Sequence, residues 1–337
     1  MKNSQNILFR VDASLTIGTG HVMRCLNLAH ELKKNGSKCT FICQVTPGNL
    51  LEKIAKEGFN TIPLKTKELD SFQWEEDAQN TILRMKEARV SWLIIDHYKI
   101  DERWHKLVAK YCKKIFVIDD LANRSHYCDV LLDSNVSRKK IDYQNLTPKR
   151  CQLLIGVKYL FLDPLCYSLS EKKRHGSICF LGGGDNQEDL KKIIPLLSSL
   201  RLPQPITCIF SAQQPNTKSL IAFCQKHHCQ SLINPSNFKE LCQTASFAIV
   251  RCGLVSYELA AFKTPNIAIF HKGIHEEVAR WLEKKGYTFP ITINNFLNRE
   301  SANKAIEKAL DINPMKALQA IPGTLKVAQH ILKVGTL

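Results

Sequence analysis

The chain has 337 residues, 44% hydrophobic and 23% charged, with a net charge of +16, the balance of a soluble globular protein with room for two domains of roughly 150 residues. Its basic residues are dispersed as pairs such as Lys33-Lys34, Lys113-Lys114, Lys191-Lys192 and Lys284-Lys285 at helix-like ends, without a basic tail or interleaved aromatics. That pattern excludes nucleic acid as a partner and favours an anionic small molecule drawn in by the summed field.

In chain order, β-branched runs at 7–11, 39–43, 93–96, 115–118 and 130–132 read as buried strands. Between the first two, Val22, Leu26, Ala29 and Leu32 line one helical face, and Asn35-Gly36 ends that helix. The charged stretch from Ser170 to Gly176 reads as a seam, dividing the chain into domains 1–168 and 169–337. The second half repeats the theme, with strands at 178–181, 207–210, 247–250 and 267–270 and helices at 255–262 and 276–285. Strand and helix in alternation imply an α/β protein with two Rossmann-like domains built on parallel sheets.

No apolar run approaches the roughly 18 residues of a membrane span. Asp12 comes too early for a signal peptide, so a cytoplasmic protein without membrane insertion is expected, and a monomer. The 13 cysteines are scattered singly, with no Cys-x-x-Cys. They are expected to pack as small hydrophobes in a reducing compartment, and no metal or cofactor is called for.

In open parallel sheets, ligands gather beyond the carboxyl ends of the strands. That rule singles out 12–21, 96–98, 119–120, 182–185 and 251–255, the stretches richest in Gly, Asp and His. The strongest is Arg10-Val-Asp-Ala-Ser-Leu-Thr-Ile-Gly-Thr-Gly-His-Val-Met-Arg24. Gly18 and Gly20 let the backbone approach a ligand, and the following helix start carries His21 and Arg24. A helix N-terminus disfavours imidazolium, so His21 is expected neutral, as a general base must be. The motif lacks the third glycine of a dinucleotide fingerprint, and plain helix capping would use the same residues. Asp12 is expected to bind sugar groups, to orient the His21 loop, or simply to cap a turn.

Asp12-Ala-Ser with Ile-Gly-Thr-Gly-His-Val-Met-Arg-Cys, then Ile95-Asp-His-Tyr98, Val117-Ile-Asp-Asp-Leu-Ala-Asn-Arg124, Cys128-Asp-Val-Leu-Leu-Asp-Ser-Asn-Val136 and Leu181-Gly-Gly-Gly-Asp185 run in order over the first 185 residues. Together they resemble the UDP-sugar hydrolases of pseudaminic acid biosynthesis. The resemblance implies a GT-B fold, two Rossmann-like domains facing each other across a cleft. It also implies hydrolysis of a UDP-linked 2,4-diacetamido-2,4,6-trideoxy sugar by water attack at the anomeric carbon, without metal. The essential His of the family maps onto His21, and substrate contacts onto Asp12, Gly18, Gly20, Arg24 and Tyr98. His97 reads as structural.

The second half is expected to hold the nucleotide. Gly183 and Asp185 sit in a Gly-rich turn of phosphate-cradle type. Gly253, Leu254 and Val255 would offer amides to the pyrophosphate, and Glu258 would bridge the ribose hydroxyls or remain a solvated helix carboxylate. The sequence departs from the family pattern at Arg251-Cys252, Ile274-His275 and Leu162-Asp-Pro-Leu165, positions that bear on which sugar is accepted. A GT-B glycosyltransferase using a UDP-sugar donor and a non-catalytic nucleotide-sugar binder are the alternatives.

Overall fold

The computed structural model describes residues 5–65, 72–86, 89–167, 172–184, 186–211, 214–273, 275–312 and 323–334. Thirteen strands follow in chain order: β1 Asn6–Val11, β2 Lys38–Gln44, β3 Asn60–Leu64, β4 Val90–Asp96, β5 Cys112–Ile118, β6 Val130–Asp133, β7 Gln152–Ile155, β8 His175–Phe180, β9 Ile206–Phe210, β10 Gln230–Ile233, β11 Ala245–Arg251, β12 Asn266–Phe270 and β13 Phe289–Thr292. They form two parallel sheets, ordered β3-β2-β1-β4-β5-β6-β7 and β10-β9-β8-β11-β12-β13. In both, the chain starts mid-sheet, runs outward one way, then returns and runs outward the other way. This is Rossmann topology twice, and its switch points lie between β1 and β4 and between β8 and β11.

The strands read from sequence are all present. The four that periodicity did not mark, β3, β7, β10 and β13, are the four sheet edges. An edge strand is covered less and tolerates proline and polar residues: Pro63 and Pro290 sit in two of them, and no residue of β10 is buried. They therefore lack the apolar run that identifies a buried strand.

The first sheet is buried on both faces. Phe9 and Phe41 stack at 4.7 Å under the helix Gly20–Lys34, whose Val22, Cys25, Leu26, Ala29 and Leu32 face them. Leu93, Ile95, Val117 and Trp104 fill the other face. All cysteines are free, and all but Cys112 and Cys151 are buried, as expected of small apolar side chains. Among the described residues, no helix is long and apolar enough to cross a membrane.

The domain division needs a correction. The chain forms two compact units, Met1–Phe161 with Ala320–Leu337, and Leu162–Gln319. The expected boundary at 168/169 assigned the whole C-terminus to the second domain. Instead the helix Gly323–Val334 packs on the first sheet, with Val327, Ala328 and Ile331 fully buried in its core and Trp92 Nε1 donating to the Ile331 carbonyl at 3.2 Å. Gly323 lies so close to the Leu160 backbone that a Cβ there would collide with it.

Candidate active site

The register places three strand ends side by side: Val11 of β1 pairs with Asp96 of β4, which pairs with Ile118 of β5. The helix Gly20–Lys34 starts beside them. Gly18 takes a positive φ of 80° and donates its amide to the Ser14 carbonyl at 2.8 Å, closing the loop that leads to His21. Gly20 is different, being the first helical residue with no positive φ.

His21 is buried, and its Nδ1 lies 2.7 Å from Asp96 Oδ1. Arg24 clamps the same carboxylate, Nε to Oδ2 and Nη2 to Oδ1, both at 2.6 Å. Burial alone would push the Asp96 carboxyl up; Arg24 and then His21 outweigh it and hold it well below the usual carboxylate range. Arg24 Nη2 is also 3.1 Å from Nδ1, but a guanidinium only donates and an ionised carboxylate only accepts. The network thus assigns the proton of His21 to Nδ1, donated to Asp96, and leaves Nε2 as the basic nitrogen. Tyr98 packs edge-on against the His21 ring, centroids 4.6 Å apart, and donates its hydroxyl to Asp120 Oδ2 at 3.2 Å. Burial, with Asp120 beside it, pushes the Tyr98 phenol up, so it remains a donor.

Of the substrate contacts expected in the first half, His21, Arg24 and Tyr98 come together. Asp12 does not join them. Its Oδ1 accepts from Arg10 Nη1 at 2.6 Å and from the Gln44 amide at 2.7 Å, while Oδ2 accepts from Arg10 Nη2 at 2.9 Å and pairs with His97 Nε2 at 3.1 Å. The buried Arg10 also pairs with Asp77, which takes a bond from Trp104 Nε1 at 2.9 Å. Asp12 is thus a buried structural carboxylate, and His97, bonded through both ring nitrogens, is structural as expected. Asp96 and Asp120 were not among the candidates, although both stand in the quoted motifs. The signal was the position of two Asp residues at the ends of adjacent strands.

In the second unit, β11 ends at Arg251 and the helix Leu254–Phe262 begins after Gly253, which brings Gly253, Leu254 and Val255 to a helix start. Arg251 Nη2 pairs with Asp189 Oδ2, and His271 Nε2 approaches the same oxygen at 3.1 Å. The Gly182 and Gly184 carbonyls accept from Asn186 Nδ2, and the Gly183 carbonyl from Ser211 Oγ. The turn is therefore tied by its carbonyls. Asp185 and Ile274 lie outside the described residues. Glu258 is fully buried and paired with Lys239, not a solvated helix carboxylate; its Oε1 has no hydrogen-bond partner among the described residues. Burial pushes its carboxyl up despite Lys239. Among the described residues, no group of three or more His, Cys, Asp or Glu is placed to hold a metal ion.

No family model matches the sequence. A UDP-2,4-diacetamido-2,4,6-trideoxy-β-L-altropyranose hydrolase of Campylobacter jejuni is 32% identical over 289 residues, spanning 83% of this chain and 97% of that protein. The chain belongs to this hydrolase family. A Helicobacter pylori protein named as both pseudaminic acid cytidylyltransferase and the same hydrolase is 21% identical over 77% of this chain and 43% of its own length. Among solved structures, Acinetobacter baumannii MurG matches 98% of this chain and 99% of its own with a TM-score of 0.56 at 14% identity. UDP-bound MnaA of S. aureus matches 100% and 98% with a TM-score of 0.66 at 10% identity. These likenesses show the fold of this family member, two Rossmann-like domains of GT-B type.

Proposed function

We propose that the protein hydrolyses a UDP-linked 2,4-diacetamido-2,4,6-trideoxy sugar at its anomeric carbon, without metal and with inversion, as a step of pseudaminic acid biosynthesis. The observation that carries the reading is the 2.7 Å contact between His21 Nδ1 and the buried Asp96, itself clamped by Arg24. A carboxylate on Nδ1 fixes the tautomer and the ring and stabilises the imidazolium that forms when Nε2 takes a proton. The nucleophile is water. Its oxygen bonds to C1 as the bond from C1 to the phosphate oxygen breaks, the electron pair leaves with UDP, and the water proton passes to His21 Nε2. UDP is a competent leaving group, so positioning one water and accepting its proton is most of the task. One base acting on water from the face opposite the leaving group gives inversion.

The second unit is read as the nucleotide end. The amides at the start of helix Leu254–Phe262 suit a diphosphate, and Arg251 adds charge and His271 a ring nitrogen beside them. Glu258, buried against Lys239, is the carboxylate at the place where the resemblance puts the ribose. Arg251, one of the departures from the family pattern, is a reason to test more than one sugar.

The likeness to glycosyltransferase structures favours one competing reading, transfer to an acceptor. Proton NMR of the UDP-sugar with the protein, EDTA and no acceptor decides between them. Release of UDP and the inverted free sugar is expected. UDP bound without turnover would overturn hydrolysis, and turnover that starts only on adding an acceptor would make the protein a transferase.

A further inference from the structure

We infer that Asp120 is a second working carboxylate of this site, supplying negative charge to the sugar as its bond to UDP breaks. The inference rests on the hydrolysis proposed above. Two carboxylates share one cation: Arg24 gives Nε and Nη2 to Asp96 at 2.6 Å each, but only Nη1 to Asp120 Oδ2, at 3.1 Å. Arg24 is thus matched by Asp96, whose side chain is 1% exposed, and Asp120, 26% exposed, keeps its charge largely uncompensated. Its other donor is the uncharged Tyr98 hydroxyl, and Oδ1 has no hydrogen-bond partner among the described residues. Arg138 reaches only the Asp120 main-chain carbonyl, at 2.9 Å, and its own charge is taken by Asp133 at 2.8 Å. With His21 neutral, as a base must be, the cluster of Asp96, Arg24 and Asp120 carries one net negative charge.

The bonds Asp120 makes do not call for a carboxylate; asparagine would bond Arg24 and Tyr98 as well. The sign of the charge says what it suits. It repels a diphosphate and attracts a centre that becomes positive. As the C1–O bond breaks and its electrons leave with UDP, the sugar ring passes through an oxocarbenium-like state. A fixed carboxylate, joined to His21 through Tyr98, stabilises that state more than the neutral ground-state sugar. Such a term raises kcat and leaves KM alone.

The test compares Asp120→Asn, which keeps an oxygen for Arg24 and Tyr98 but removes the charge, with Asp120→Glu, which keeps the charge. The UDP-sugar is the probe, and thermal melts with UDP binding confirm the fold of each variant. Asp120→Asn is expected to lose about 10²-fold in kcat at unchanged KM, and Asp120→Glu to stay within about 10-fold of the parent. An active parent with an equally active Asp120→Asn, or one changed only in KM, overturns the role of Asp120 alone. An inactive parent overturns the hydrolase reading and this one with it. Should Asp120→Asn fail to fold, Asp120→Ser against Asp120→Glu decides in the same way.

Discussion

The carboxyl edges of the two sheets occupy equivalent places in one topology and are finished in different ways. On the first, Arg10, Asp12, Asp77, His97, His21, Asp96 and Arg24 satisfy one another in the protein's interior. On the second, Arg251 and His271 converge on the single carboxylate Asp189 and remain about a third or more exposed. The first edge is preorganised: its side chains are held by one another, which suits the proton transfer proposed above. The second leaves Arg251 within reach of an anion, which suits the nucleotide end proposed above. The contrast teaches that one topology can finish equivalent edges with charges matched inside the protein or left near its surface, a difference that suits the division proposed above between a base and a nucleotide end.

The largest effect should come from breaking the interior network. Arg10→Ala leaves Asp12 and Asp77 buried without their cation, a loss of about 3–5 kcal/mol, and calorimetry should show a melting midpoint lowered by about 10 °C. An unchanged midpoint would mean that the first edge is not held by its ion pairs. Next in size, His21→Asn should lower kcat by about 10²-fold while calorimetric UDP affinity is unchanged; parallel losses in both would erase the division of labour between the edges. Arg251→Ala should do the reverse, weakening UDP about 10-fold, the size of one charge-assisted hydrogen bond, with the melting midpoint kept. Equal UDP affinity in variant and parent would remove Arg251 from the nucleotide end.

The smallest effect is a difference in pH response. Asp12 and Asp96 are depressed by their partners, so the stability they give is complete above the unfolded carboxylate range, about pH 4. It is lost only as pH falls further, through their lower folded values. Glu258 is shifted the other way, so protonation as pH falls toward about 4.5 relieves the folded state there. Burial also holds His97 and His105 of the first unit below the usual histidine range. Urea titrations should therefore find that unit weakening from pH 7 to about 5, as the unfolded chain takes up protons the folded one resists, and weakening again below about 4, with the second unit steadier across the lower step. A first unit that holds its stability between about pH 5 and 3 would contradict the depressed carboxylates.

Much of this was legible in the sequence. Central strands are buried on both faces and must be apolar runs, so β1, β2, β4, β5 and β8 could be read directly; the edges could not, because Pro63 or Gln230 costs nothing there. His21 was legible through its motif and its place after a strand. Asp96 was not, because its partner is 75 residues away and only the β1–β4 register brings them together. Asp12 misled for a related reason: a carboxylate just past a strand end looks available until Arg10, two residues earlier in β1, is seen to turn inward with it. Glu258 likewise reads as a surface helix position until Lys239 arrives from another helix.

The helix Gly323–Val334 gives the chain an unusual order of completion. A ribosome makes the whole second unit, Leu162–Gln319, before the residues that finish the first. Trp92 waits for Ile331 to cover it, so the unit that begins first is not complete until late in synthesis, and the nascent sheet beside His21 stays open on one side until the helix Gly323–Val334 emerges.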